Sequence, residues 1–566
     1  MNRIVFILAC FFSLAFAPFV YASQIGAVLS FTVDPSFDVS GRTEMNAVLT
    51  KETSQLYFYV DKAWWDGLND LRHSEISTSF DILSEGFERT IYPNLTSAFG
   101  SEWKPGIDGD PKITILVQQM KQNAEGYHRY ADEYLKLQLP DSNEREMVYL
   151  ASGMIESSLA KTFLAHEFTH LITFNQKQIL RKLTEDTWLD EARAEYAPTL
   201  LGYNNSLPGS ELEARINNFL SDPTNSLVEW RDGKHPYGAV SLFSHYLVDH
   251  YGAGVLIDSL RSGKVGIASL NEALKKNGFD DTFSELFTNW TIAVFVNDCH
   301  YGKLYCYLNQ NLANIKLTAN TNFLPLTGKS TLSVSHVTKN WAGNWIRFIG
   351  GQGALEFNFE GLKGLNYQVP YLVQDKDGIY TIDFLKLDTN QKGTLFVPHF
   401  GTDNKALIAL PSLQSKTTGF EGSEPTYPLS FTVSTLERTP DEEQALITKL
   451  LVQIDDLKKE IAKVQTQLQV VQQLNPPALC KPFTKDLVLW TSEHIDVYCL
   501  QKLLAEQGSD IYPEGFLTGN FGPLTQQAVI RFQEKYANEI LVPVGLEKGS
   551  GFVGAKTRAK LYRFIK

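Results

Sequence analysis

His166-Glu167-Phe168-Thr169-His170 sets two imidazoles four residues apart, with a carboxylate one residue after the first. On a helix, positions i and i+4 share one face about a turn apart, so both rings can reach a single metal ion. Glu167 can then address a water in a coordination position that the histidines leave open. Phe163, Leu164, Phe168, Leu171 and Ile172 supply the buried face that such a helix needs. A second string follows: Trp188-Leu189-Asp190-Glu191-Ala192-Arg193-Ala194-Glu195-Tyr196. A turn and a second helix would deliver Glu191 as third ligand. Three protein ligands leave a fourth position for water, the arrangement of one catalytic rather than structural zinc. Glu195, a turn further on, could accept a hydrogen bond from a ligand histidine and fix its tautomer. Pro198 is expected to kink or shorten that helix. The competing reading makes the histidines satisfied polar groups of a buried helix, or the site a metal-free relic.

The elements that must position these residues can be read around them. Before the motif, Leu56–Val60, Ile113–Val117 and Met147–Leu150 read as strands, and Phe80–Ala98 as an amphipathic helix. From Ile155 to about Tyr307 helical patterns dominate, which predicts an α+β unit. After residue 315 the composition shifts to short alternating strands, among them Trp345–Phe348, Leu355–Phe359 and Leu429–Val433. Asp377-Gly378 is a hairpin signal between two of them, and the spacing predicts a β-sandwich. Ile447, Ile454, Ile461 and Leu468 then alternate with Leu450, Leu457, Val464 and Val471 at 3-4 spacing. Ile at one heptad position with Leu at the other predicts a parallel two-stranded coil; a helical spacer packed on a neighbouring domain is the alternative. Asn475-Pro476-Pro477 ends that helix. The last ninety or so residues read as a small three-helix module. Within it Phe521-Gly522-Pro523-Leu524-Thr525 is echoed by Val553-Gly554-Ala555-Lys556-Thr557.

At 566 residues and 43% hydrophobic, the chain exceeds one core and calls for several domains. A net charge of −13 excludes a nucleic-acid binder that works by phosphate neutralisation. Arg3, the apolar run Ile4–Ala17 and Val20-Tyr21-Ala22 predict a cleaved signal peptide over residues 1–22, against the reading of a membrane anchor. The protein is therefore expected outside the cell or at its wall. Cys299 with Cys306, and Cys480 with Cys499, are expected as two local disulfides, in preference to a four-cysteine zinc site. The expected domains are a metal-binding unit at 23–312, a β-sandwich at 313–438, a coiled-coil spacer at 440–475 and the terminal module at 478–566.

H-E-F-T-H followed by W-L-D-E-A-R-A-E-Y resembles the gluzincin zinc metallopeptidases, most closely the hyicolysin-like group. Ile107–Leu116, Gly126-Tyr127 and Asn143–Tyr149 add to the likeness, which spans residues 50–255. The family string more often has glycine where Ala192 stands. The resemblance implies a thermolysin-like fold, zinc held by His166, His170 and Glu191, and peptide-bond hydrolysis with Glu167 as general acid/base. An oxyanion donor is then needed. Tyr237 is the first candidate and His235 the second, each against the reading of an ordinary surface or packing residue, and His128 calls for the same weighing. Asp108-Gly109-Asp110 reads as a turn before a strand rather than a calcium loop.

The terminal module resembles peptidoglycan-binding-like domains through Leu500-Gln501, Gly519–Gly522, Thr525, Ala528-Val529, Phe532-Gln533, Val553-Gly554 and Thr557. The resemblances together imply a secreted endopeptidase acting on proteins or peptides and held at the cell wall. The rivals are a hydrolase of peptidoglycan cross-links and a non-catalytic adhesin on a peptidase scaffold.

Overall fold

The computed structural model describes residues 24–122, 124–230, 237–420, 422–436, 440–474, 480–491 and 494–565. The expected signal peptide and His235 lie outside them. The chain divides into two compact units, residues 1–437 and 438–566.

The first unit opens with six strands: β1 (Val28–Thr32), β2 (Glu44–Glu52), β3 (Leu56–Asp61), β4 (Ile113–Gln118), β5 (Gly126–His128) and β6 (Met147–Ala151). Their order is β1-β2-β3-β4-β6-β5. β3, β4 and β6 are parallel, and β5 closes the sheet as an antiparallel edge on β6. Parallel strands are buried on both faces, and side-chain alternation divides these residues between two cores. Phe58, Val60, Ile115, Val117, Val148 and Leu150 face one core. Tyr57, Tyr59, Leu116, Met147 and Tyr149 face the other.

Helices α1 (Lys62–Asp66), α2 (Asp70–Gly86) and α3 (Tyr92–Phe99) run between β3 and β4, and α4 (Ala160–Thr173) follows β6. The helix expected at Phe80–Ala98 starts earlier, at Asp70, because the Asn69 side chain accepts from the Arg72 N–H and caps it. A π-helical turn at Phe87–Ile91 then joins α2 to α3. The helical part continues with α5 (Thr187–Leu200), α6 (Glu211–Ser221), α7 (Tyr237–Tyr251), α8 (Ala253–Arg261), α9 (Gly266–Lys276) and α10 (Phe283–Val296). Pro198 stands in the last turn of α5, which ends at Leu200.

Eleven short strands come next. They are β7 (Asn320–Leu324), β8 (Ser330–Thr338), β9 (Ile346–Gly350), β10 (Gly353–Gly361), β11 (Tyr367–Gln368) and β12 (Pro370–Asp375). After them run β13 (Tyr380–Phe384), β14 (Lys392–Phe400), β15 (Asn404–Ala409), β16 (Ser412–Leu413) and β17 (Tyr427–Leu436). One layer runs β13-β12-β15-β9-β7 and the other β14-β10-β17-β8; a single pairing, Phe400 with Asn404, links them. Phe348, Leu407 and Ala409 of the first layer meet Phe357, Val397 and Phe431 of the second, the core of a sandwich. The next residues along β15 point the other way. Ala406, Ile408 and Leu410 join Phe219, Phe243 and Trp290 of the helical part in one continuous core. Trp345 adds a hydrogen bond to the Thr291 carbonyl, 2.9 Å. The sandwich and the helices thus share one apolar core.

The second unit holds α11 (Pro440–Leu474), α12 (His494–Ala505), α13 (Pro523–Lys535), the four-residue α14 (Ala537–Ile540) and α15 (Ala555–Leu561). The echoed phrases have a physical basis. The Gln501 amide accepts from the Gly519 N–H and donates to the Asn520 carbonyl and Thr525 hydroxyl. Gln533 makes the same bonds to Gly551, Phe552 and Thr557, at the same sequence offsets. Each buried glutamine so clamps the loop that starts a helix. Both expected disulfides, Cys299–Cys306 and Cys480–Cys499, are closed. They fit a protein matured in an oxidising compartment. No described helix is long and apolar enough to cross a membrane.

Candidate metal centre

Every residue of α4 from Thr162 to Thr173 is buried, including His166, Glu167 and His170. Phe163, Leu164, Phe168, Leu171 and Ile172 bind the helix into the core at about 1.5–3 kcal/mol each. That apolar contribution offsets the burial of three ionisable groups on its remaining face. α5 packs on α4 and supplies two acidic neighbours in sequence, Asp190 and Glu191.

His166 Nε2 and His170 Nε2 stand 3.2 Å apart. Glu191 Oε2 lies 3.3 Å from the first and 3.7 Å from the second. These are the described residues whose donor atoms cluster as metal ligands can. A tetrahedral centre with N and O bonds of about 2.0–2.2 Å has ligand–ligand edges of roughly 3.3–3.5 Å, so the triangle has the right size. Glu191 Oε2 is buried and makes no hydrogen bond. The opposite ring nitrogens are engaged: His170 Nδ1 is 2.7 Å from Asp190 Oδ2, and His166 Nδ1 is 3.5 Å from Glu195 Oε1. Donation from Nδ1 to Asp190 assigns His170 the tautomer that leaves its Nε2 with a lone pair, and Glu195 stands where it can favour the same tautomer of His166. Three lone pairs then face one point. Electrostatics agree: burial opposes charge on His170, yet Asp190 and Glu191 outweigh it and raise its pKa to about 10. The cluster calls for positive charge, which a proton or a divalent cation can supply.

Glu167 is pushed up to about 6, chiefly by burial, against the lowering influence of His166 and His170. Its carboxylate lies against edge strand β5. A Cβ on Gly126 would come within 3.2 Å of Glu167 Oε1 and 2.9 Å of the Tyr149 carbonyl, so only glycine lets the strand approach this closely. Asp190, which burial alone would raise, is drawn down to about 2 by the His170 charge and by hydrogen bonds from His170 and Tyr130.

Tyr237 stands beside the cluster, its ring 6.2 Å from that of His166. Burial first, then Glu191 and Glu167, raise its hydroxyl well above 10, so it stays a donor at neutral pH. The Arg215 guanidinium lies 4.5 Å from the centre of its ring. Arg215 also holds both oxygens of Glu195 at 2.9 Å. Gly238 permits that packing, since a Cβ there would meet the Phe219 nitrogen at 2.6 Å and the Arg215 carbonyl at 2.7 Å. The His128 side chain is buried, 3.1 Å from Glu133 and stacked beside His170, and burial lowers its pKa to about 3. It stands next to the cluster as a neutral wall. Asp108 and Asp110 cap the turn before β4, accepting from the Asp110 and Lys112 N–H groups.

Sequence reasoning named Glu195 as the partner of a ligand histidine and missed Asp190, which makes the shorter contact. It also missed Tyr130, Arg215 and Gly126. The signal for Asp190 was its place beside Glu191.

No family model and no curated protein matches this chain. Among solved structures, it is similar to a Yersinia pseudotuberculosis-derived mitogen at 10% identity, over 20% of this chain and 91% of that one, with TM-score 0.14. The pre-peptidase C-terminal domain of a Bacillus anthracis collagenase matches at 10% identity, over 20% and 96%, with TM-score 0.13. The Aeromonas hydrophila periplasmic lysozyme inhibitor PliG matches at 13% identity, over 21% and 98%, with TM-score 0.12. Scores this low carry no argument.

Proposed function

We propose that the chain is an exported zinc-dependent endopeptidase of the gluzincin type. The observation that carries this reading is the convergence of His166 Nε2, His170 Nε2 and Glu191 Oε2 beside the carboxylate of Glu167. Bound zinc would supply a water of lowered pKa and a Lewis acid for the scissile carbonyl. The chain's own residues do the rest. β5 is the terminal strand of its sheet, and an extended peptide can add to that edge by main-chain hydrogen bonds. Gly126 sets this edge against Glu167, so a peptide lying there has its backbone beside the carboxylate. With a pKa near 6, Glu167 is ionised at neutral pH, accepts the water's proton and returns it to the leaving amine. Tyr237 keeps its proton and is the donor proposed for the oxyanion. Asp190 holds the His170 imidazole in the ligating tautomer, and Glu195 lies beside the Nδ1 of His166.

The terminal module is read as the wall-binding part, supported by its sequence resemblance. Metal analysis beside hydrolysis assays tests the whole reading. About one zinc per chain is expected in the wild type and in Glu167→Gln, with hydrolysis lost in the variant. A chain that binds no zinc, or a Glu167→Gln variant with full activity, would overturn it. Parallel digestion of casein and of purified sacculi separates a protein-directed peptidase from a cross-link hydrolase.

A further inference from the structure

α11 inverts the usual distribution of apolar side chains. Ile447, Leu450, Ile454, Leu457, Ile461 and Val464 are each between 43% and 55% exposed. They recur at 3-4 spacing along one stripe of a 35-residue helix, about 52 Å long at 1.5 Å per residue. Leu468 and Val471 continue the spacing, though their side chains lie outside the described residues. A strict 3.5-residue period drifts around a straight helix and stays on one face only when the helix supercoils about a partner with the same period. A spacer packed on a globular surface has no such requirement, since a wider 3.6-period face serves it.

We infer that this stripe is the seam of a parallel, in-register dimer whose other strand is α11 of a second copy of the chain. Three features select that partner. Ile at the first seam position with Leu at the second is the combination that favours two parallel strands. The flanking positions suit a parallel pair: the heptad register opposes Gln453 to Lys458 of the second copy, so no like charges meet there. The charges that are paired already, Lys459 with Asp455 and Asp456, lie away from the seam and bond within their own helix. In the dimer both terminal modules leave the same end of the coil.

Light scattering on the full-length mature protein tests the mass. Twice the chain mass is expected for the wild type and for Lys459→Glu. For the double variant Ile454→Glu/Leu457→Glu one chain mass is expected, with the dissociation constant raised at least ~100-fold by charges buried in the seam. Hydrolytic activity should be equal in all three, which separates this inference from the catalytic one. Orientation is read by oxidative cross-linking of Leu450→Cys and, separately, Val464→Cys. Both should give disulfide-linked dimers, because each residue meets its own copy in a parallel register. A wild-type monomer, a dimer that survives the double variant, or cross-linking at only one of the two positions overturns the proposal.

Discussion

α4 and α11 break the burial rule in opposite senses. α4 hides two histidines and a glutamate in a core where such groups are rare, and α11 leaves eight large aliphatic side chains open among its described residues, six of them on one stripe. Each departure costs free energy and so marks what the element meets. A buried set of converging lone pairs calls for a cation, while an ordered apolar stripe calls for another chain. The chemistry of the misplaced groups distinguishes the two. Three lone pairs within bonding reach define a point, and a stripe tens of ångströms long defines a line.

The largest expected effect falls at the point. His166→Ala or Glu191→Ala should abolish zinc retention on dialysis and with it hydrolysis, read by metal analysis and peptide cleavage. Glu167→Gln should keep the metal and lower kcat by about 10²–10⁴-fold; a variant that loses both would make Glu167 a ligand instead. Tyr237→Phe should lower kcat by roughly 10²–10³-fold with little change in KM, as loss of one oxyanion donor does. Asp190→Asn keeps the shape and removes the charge, and zinc affinity measured by chelator competition should fall about 10–100-fold.

A smaller effect concerns stability. Burial pushes the Glu146 carboxyl up to about 8. The folded state therefore holds a proton that the unfolded chain releases at its ordinary carboxylate pKa. The resulting stabilisation is complete below about 4.5 and is lost as pH rises through 8. Thermal melts should show the unfolding midpoint declining over that window, and Glu146→Gln should flatten the decline.

The candidate metal-binding cluster was legible because its residues obey local rules. His166 and His170 are one helical turn apart, and Glu191 sits on the next helix. The strands at Leu56–Val60, Ile113–Val117 and Met147–Leu150 were legible from their apolar runs, and both disulfides from their local spacing. Asp190 was not legible, since which acid reaches which ring nitrogen depends on how α5 lies against α4. β5 is too short for alternation to show, and its importance comes from sheet order, which no local pattern encodes. The early start of α2 was written in the Asn69 cap, a signal carried by one residue.

The apolar continuity between β15 and the helices limits how the molecule can be dissected. A fragment ending near residue 312 would keep every proposed catalytic side chain and still strip Phe283 and Phe287 of Trp341, and Phe219 of Trp345. Such a fragment should aggregate or be lost to proteolysis on expression, whereas one ending near residue 436 should be well behaved. The strand-rich segment is better regarded as the floor of the helical half than as an accessory tied to it.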